Sequence, residues 1–297
     1  MPLKTIIQSI RPPFLLLTFV CCGLAFSLAL QSAHEFEHWL MWPVLLSALF
    51  AHIAVNALNE YQDFVSGLDM LTVKTPFSGG SGALPDNPDA AQYVLFTALT
   101  ALVISSGAGL FLILQQGMPL MLLGVLGVII VLAYTRWINR MPWLCLIAPG
   151  MGFGLLMVMG SYLALTGNID ARVVGLSLVP FFLVNNLLLL NQYPDIEADK
   201  AVGRNHFPIY FGIETSNKMY LIFLLSTFAV IAYLILNHWL SHFAWLVLLL
   251  GLMGVYVYMG TVKYGEKIGE YPHILAVNVL MTLLIPSILA VDIYFSI

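Results

Sequence analysis

Asn191, Asp195 and Asp199 follow one another at intervals of four residues at the end of an apolar run. On a continuous helix that spacing stacks the three side chains on one face. Two ionised carboxylates four residues apart repel each other, so a helix alone gains nothing from them. The arrangement makes sense around a cation. Side-chain oxygens of this type suit a hard divalent ion such as Mg2+, which commonly brings a phosphate with it. A related stretch lies earlier in the chain: Asn56, Asn59-Glu60-Tyr61-Gln62-Asp63, then Gly67 and Asp69, again at the end of an apolar run. One such stretch is equally well read as a solvated helix end. Two of them, in a chain of which only 9% is charged, point to a shared polar site.

The elements that must position these groups are apolar helices. The chain has 297 residues, 60% of them hydrophobic, and a mean hydropathy of +0.93. So little charge cannot cover the surface of a soluble domain of this length, so the sequence predicts an all-α integral membrane protein. We expect one polytopic membrane domain over 1–297. The net charge of −4 argues against a nucleic-acid partner. Cys21, Cys22 and Cys145 all fall inside apolar runs and read as small buried hydrophobes, not as disulfides or metal ligands. The first apolar run could be mistaken for a signal peptide. Arg11-Pro12-Pro13 gives it a firm start and it is long enough to span, so it reads as a retained helix.

Nine runs are long enough to cross a bilayer: roughly 14–30, 42–60, 91–114, 118–138, 142–165, 172–192, 218–237, 241–262 and 272–295. With the N-terminus in the cytoplasm, the cytoplasmic segments hold Lys4, Arg11, Lys74, Arg136, Arg140, Lys200, Arg204, Lys218, Lys263 and Lys267. Arg172 alone falls on the other side. This positive-inside bias supports both the count and the orientation in the cell (inner) membrane.

Both acidic stretches land at one membrane face, at the ends of the second and sixth spans. Carboxylates and cations then meet in a cytoplasmic-side cap over a single nine-helix bundle, and ionisable groups in such a place are functional candidates. The longest connections follow these two spans, hinting at an internal repeat. In the first of them, Lys74-Thr75-Pro76-Phe77-Ser78-Gly79-Gly80-Ser81-Gly82 is either a flexible reversal or a backbone anion cradle, and it is not a P-loop pattern.

The residues carry a resemblance over essentially the whole chain. Asn191-x-x-x-Asp195-x-x-x-Asp199 resembles the second aspartate motif of the UbiA-type intramembrane aromatic prenyltransferases. Asn59-Glu60-x-x-Asp63-x-x-x-Gly67-x-Asp69 resembles their first motif, in the form typical of the branch that prenylates 1,4-dihydroxy-2-naphthoate for menaquinone. Arg11-Pro12 and the nine-span length resemble the family as well. Two positions depart from it. Glu60 stands where Asp is usual and reaches one methylene further, which suits a geometrically demanding Mg2+ less well. Pro194, inside the second motif, should kink the helix end.

The resemblance implies Mg2+-dependent transfer of a polyprenyl group from its diphosphate to an aromatic acceptor. It implies catalytic Asp63, Asp195 and Asp199, and metal ligation by Asn59, Asp63, Asp69, Asn191, Asp195 and Asp199. Lys74, Arg136, Lys200 and Arg204 would take the diphosphate oxygens. An apolar bundle would keep water from an allylic cation. Alternative acceptors are 4-hydroxybenzoate and the haem, chlorophyll and lipid precursors of related branches. A phosphatidyltransferase would need a denser Asp series in one helix pair. A secondary transporter would place its polar groups nearer mid-membrane. His52, Asn56, Asn185, Asn186 and Tyr193 fit either a pocket lining or bundle packing. His34, His38, His238 and His242 read as solvated at the far end. His206 and His273 fall on the acidic side without an indicting spacing. The general base, tail length and oligomeric state are not legible.

Overall fold

A computed structural model describes residues 2–32 and 35–296; His34 lies outside the described residues. The described chain is helical, without strands. A short helix, α1 (Pro2–Ser9), turns through Arg11 into α2 (Pro12–Gln31). There follow α3 (Met41–Val65), α4 (Ala91–Gln116), α5 (Met118–Ala133), α6 (Pro142–Thr166), α7 (Ala171–Asn191), α8 (Phe207–Leu236), α9 (Gly251–Tyr264) and α10 (Pro272–Phe295). Prolines in the first turn open α2, α6, α8 and α10, where their missing N–H costs nothing.

Eight helices among the described residues are long and apolar enough to cross a membrane, α9 counting together with its 3-10 flanks as His242–Glu270, and α5 is a shorter apolar helix of 16 residues. The protein is a multi-pass membrane protein. Large apolar side chains such as Phe96, Val103, Leu122, Leu225 and Leu252 face outward, as a hydrocarbon solvent allows. α7 is the central element, 67% buried along its apolar window. It packs against α6, α8 and α10, while α3 packs on α4 and α2 on α10.

Several polar groups inside the bundle are paired across helices, although Asn185 Nδ2 and Asn186 Oδ1 have no partner among the described residues. Asn186 Nδ2 donates to the Tyr220 carbonyl at 3.0 Å, and the Tyr220 hydroxyl donates to Asn278 Oδ1 at 3.1 Å, linking α7, α8 and α10. Asn185 Oδ1 accepts the Gly150 N–H at 2.6 Å. Asn185 and Asn186 thus each hold a neighbouring helix through one amide atom. His52 and the Thr18 hydroxyl are 2.8 Å apart, and Asn56 donates to the Ile10 carbonyl at 3.0 Å, so both belong to the packing of the N-terminal end. The three cysteines are free and buried. His38, His238 and His242 are exposed.

Three local expectations change. The second motif does not lie on one continuous helix: α7 stops at Asn191, and a separate short helix starts at Ile196. Pro194 has no N–H to continue the ladder, so the chain turns there and Asp195 begins the new helix. α8 starts at Phe207 rather than near 218, and Gly212 (φ 79°) breaks its first turn from the rest. The segment expected as a regular helix over 241–262 opens as a 3-10 helix, His242–Leu250.

α6 contains a wide-turned segment, Met151–Met159, of the kind that perturbs an α-helix locally. It lies against α7 at very short range. A Cβ at Gly154 would sit 2.5 Å from the Ser177 carbonyl oxygen and 2.6 Å from the Phe181 nitrogen, whereas one at Gly152 would meet nothing within 4 Å. Close approach through small residues is how helices pack without a hydrophobic drive between them. We expect Gly154→Val to cost about 1–3 kcal/mol of stability by overpacking, and Gly152→Val to be nearly neutral. Apparent unfolding midpoints in detergent check this; equal losses for both variants would contradict the packing described.

Candidate active site

The loops at one end of the bundle bring distant residues together. Arg204 reaches back to Asp63 across 141 residues in an ion pair and donates through its other terminal nitrogen to Asp199 Oδ1 at 2.9 Å. Asp199 Oδ2 accepts from His206 Nε2 at 2.8 Å. Asp195 Oδ2 accepts the Gly79 N–H at 3.0 Å, joining the glycine-rich loop to the second motif. Glu60 pairs with Arg11 and accepts from Ser81 of the same loop. The Asn205 N–H donates to the Asn139 carbonyl at 3.0 Å, and Asn59 donates to the Thr135 hydroxyl at 3.1 Å. A Cβ on Gly269 would lie 3.0 Å from Pro194, so the turn before α10 packs here too.

Each acidic group owes its place to a local device. Asn59, Glu60 and Asp63 ride on the last turns of α3. Gly67 (φ 79°) turns the chain after α3 and sets Asp69 in a short 3-10 turn. Pro194 ends the α7 region and places Asp195 against the loop, with the Asp195 N–H bonded to the Gln192 carbonyl at 3.3 Å. Asp199 follows one turn later, its N–H bonded to the Asp195 carbonyl at 2.8 Å.

Burial sets the electrostatics. The Asp195 carboxyl is pushed up to about 7, first by burial and then by the Asp199 charge, against the lowering effect of the Gly79 N–H. The Asp69 carboxyl is pushed up to about 7 by burial and by Glu60 and Asp63 nearby. Burial works against the Arg204 charge, but Asp63 and Asp199 outweigh it and raise its pKa.

The acidic residues divide by their hydrogen bonding. Asp199 and Glu60 have both oxygens held by protein donors. Asn191 Oδ1, Asp195 Oδ1 and Asp69 Oδ2 are buried without a hydrogen-bond partner among the described residues. Buried polar atoms without partners are costly and call for an explanation. Three hard oxygen donors fit Mg2+ in type. No three His, Cys, Asp or Glu among the described residues stand close enough to hold one ion by themselves. That suits an ion that takes one or two carboxylates and completes its shell with water and phosphate oxygens.

The expected cations separate. Arg204 is at the centre. Lys74 is exposed and donates to the Ser81 carbonyl, within the glycine-rich loop. Lys200 is exposed and pairs with Glu197 at 3.2 Å. Arg136 is exposed and stacks on Trp137, 5.4 Å from the ring centre, with no site residue as partner. Two residues were missed. His206 is buried behind Asp199 with its Nδ1 unpaired among the described residues, and only the fold reveals it. Arg11, which marks a helix start and with Pro12 carries part of the resemblance, also neutralises Glu60.

Comparison with known proteins agrees with this geometry. The model of the UbiA prenyltransferase family matches residues 16–268. The 1,4-dihydroxy-2-naphthoate octaprenyltransferase of Bacillus subtilis (strain 168) is 30% identical over 208 residues, which are 69% of this chain and 65% of that protein. The chain thus spans 65% of that relative's length. The protein of the same name from Escherichia coli (strain K12) is 24% identical over 82% of this chain and 80% of its own. A UbiA homolog from Archaeoglobus fulgidus bound to DMAPP and Mg2+ has a TM-score of 0.69 at 16% identity, covering 99% of this chain and 100% of that one. An apo UbiA homolog from Aeropyrum pernix K1 has a TM-score of 0.65 at 16% identity, over 94% and 97% of the two chains. At these identities the solved structures speak for the fold.

The pairing makes two predictions. Arg204→Ala leaves Asp63 and Asp199 as buried charges without their cation, so unfolding in detergent should show a loss of about 3–5 kcal/mol. An unchanged midpoint would contradict the bridge. The second concerns pH. A carboxyl raised to about 7 keeps its proton below that value and must release it to bind a cation. Divalent affinity should therefore fall as pH drops from about 8 to about 6, by up to tenfold per unit for each proton released. Calorimetric titration with Mn2+ in buffers of different ionisation enthalpy checks this, and pH-independent binding without proton release would contradict it.

Proposed function

The chain belongs to the UbiA prenyltransferase family, and from that premise we propose that it transfers a polyprenyl group from polyprenyl diphosphate to an aromatic acceptor in a Mg2+-dependent reaction. The observation that carries this reading is the Arg204 bridge, which draws Asp63 and Asp199 together and brings the two acidic motifs to one end of an apolar bundle. We take 1,4-dihydroxy-2-naphthoate as the acceptor, because the relatives from Bacillus subtilis and Escherichia coli carry that name.

The chemistry follows from the groups present. The bond between the allylic carbon and the diphosphate oxygen breaks, and the electron pair leaves with the diphosphate. The attacked ring carbon forms the new carbon–carbon bond and sheds a proton or, if it carries the carboxyl group, carbon dioxide. Mg2+, when bound, neutralises charge growing on the leaving oxygens. One or two of Asp63, Asp69 and Asp195, together with Asn191, would hold it, with Asn59 orienting the first motif and Asp199 held to Arg204. Arg204 supplies a fixed cation beside the leaving group. Lys74 and Lys200 sit at the rim, where they can steer an anion in. The apolar helices behind the site would take the isoprenoid tail and keep water from the allylic cation.

We also infer nine crossings in a cell (inner) membrane, with the acidic end and the N-terminus in the cytoplasm. Helix α5 is about 24 Å long at 1.5 Å per residue, short but sufficient with its flanking turn. Its two ends support a crossing. The position of a Gly167 Cβ is 2.9 Å from Gln116 Oε1 at the start of α5, and Asn59 reaches Thr135 just past its end. Eight crossings would leave Asp63 and Asp195 at opposite faces. The excess of Lys and Arg on the acidic side supports the orientation.

In membranes supplied with labelled polyprenyl diphosphate, Mg2+ and a panel of aromatic acids, we expect product with the naphthoate in preference to 4-hydroxybenzoate. Asp63→Asn and Asp195→Asn should each lower kcat/KM by at least about a hundredfold, in line with the loss of about 3 kcal/mol of transition-state stabilisation. Transfer that survives both substitutions would sink the site, and preference for another acid would sink the acceptor.

A further inference from the structure

The glycine-rich loop after α3 is fastened at several points. Lys74 closes it on the Ser81 carbonyl, Thr75 Oγ1 accepts the Ser78 N–H at 2.9 Å, and Gly79 donates to Asp195. Its shape requires glycine. Gly79 and Gly80 lie at φ 74° and 70°, and a Cβ on Gly79 would stand 2.8 Å from the Val73 carbonyl oxygen, one on Gly80 3.0 Å from Asp69 Oδ1. The loop thus lies directly over the acidic residues.

What fastens it to the first motif is Glu60. This side chain is fully buried. It takes four donors: Arg11 Nε at 2.8 Å, the Arg11 terminal nitrogen, the Ser81 N–H at 2.8 Å and the Ser81 hydroxyl at 2.6 Å. A carboxylate has about four lone-pair sites, so little acceptor capacity is left for a cation. Arg11 is itself held in the left-handed region at φ 51°, where the chain turns from α1 into α2. Arg11 and Ser81 both line a cleft of ≈ 260 Å³ between that turn and the loop, with Gln8, Phe14 and Phe77.

We propose that Glu60 is a positioning residue, not a metal ligand: with Arg11 it latches the glycine-rich loop over the acidic site, and its length is what lets one carboxylate reach both Arg11 and Ser81. Aspartate here would be one methylene shorter and would forfeit one of the two partners. The loop held in this way keeps the Gly79 N–H on Asp195 Oδ2, on the side where the diphosphate would lie. The inference rests on the reading of this end as a prenyl diphosphate site, but the latch itself is tested without activity.

Lys74 is the one Lys or Arg between Arg11 and Arg136, so trypsin reports on the loop by a single cut after it. Cleavage there should be at least about tenfold faster in Glu60→Gln and in Ser81→Ala than in the parent protein, because local opening governs the rate. Mn2+ titration should give an unchanged midpoint for both variants, while Asp195→Asn shifts it by tenfold or more. In the transfer assay both should raise KM for the diphosphate by at least about fivefold with a smaller effect on kcat, and Glu60→Asp should behave like them. A Mn2+ midpoint for Glu60→Gln displaced as far as that of Asp195→Asn would make Glu60 a ligand. Parental cleavage rates would remove the latch. Should Glu60→Gln fail to fold, Ser81→Ala, which leaves the Arg11–Glu60 pair in place, carries the same expectations. Absence of transfer by the parent protein would overturn the proposed function while the tryptic comparison still decides the latch.

Discussion

Arg204 lies between two buried carboxylates, Asp63 from the end of α3 and Asp199 from the short helix after α7. In a protein whose flanks face hydrocarbon, this one guanidinium ties together chain segments far apart in sequence. Removing charge from water is expensive unless each ion meets a partner in good geometry. The acidic end satisfies that condition twice over, with Arg204 between Asp63 and Asp199 and with Arg11 on Glu60. The loops must come together because these charges cannot be left alone. α3 and α7, the helices that carry the motifs, are held parallel at the same end by the same requirement.

Pairing also divides labour among the acidic side chains. Glu60 and Asp199 are committed to protein donors, and they fix an arginine, a histidine and the glycine-rich loop. Asp69, Asp195 and Asn191 each keep a buried oxygen unpaired among the described residues. Groups of the first kind are tied to the surrounding loops, and groups of the second kind are the ones the proposed reaction assigns to the metal. The raised carboxyls of Asp69 and Asp195 express the same cost, since burial without a cation favours the protonated form.

Much of this was legible in the sequence, for identifiable reasons. Helix-length apolar runs report membrane helices directly, because a bilayer admits little else. The four-residue spacing of Asn59 and Asp63 survives on a real helix. That of Asn191, Asp195 and Asp199 does not, since Pro194 breaks the backbone, although Asp195 still feels the Asp199 charge. Parity over the nine expected spans predicts both motifs at one face without any contact information. What remained hidden depends on tertiary contact. His206 carries no local pattern, and Arg136 looked equal to Arg204 until one stacked on Trp137 and the other entered the ion pairs. Glu60 stands in the sequence only as a departure from the usual Asp, and its pairing with Arg11 and Ser81 is visible only in the fold.

The central claim is that both acidic motifs grip one metal–diphosphate group. A double-mutant cycle with Asp63→Asn and Asp195→Asn, read as the affinity for a prenyl diphosphate in the presence of Mg2+, tests it most directly. Shared binding predicts that the two losses do not add, with a coupling of at least about 1 kcal/mol. Losses that add to within about 0.5 kcal/mol would mean that the two carboxylates act on separate things, and the account would fail.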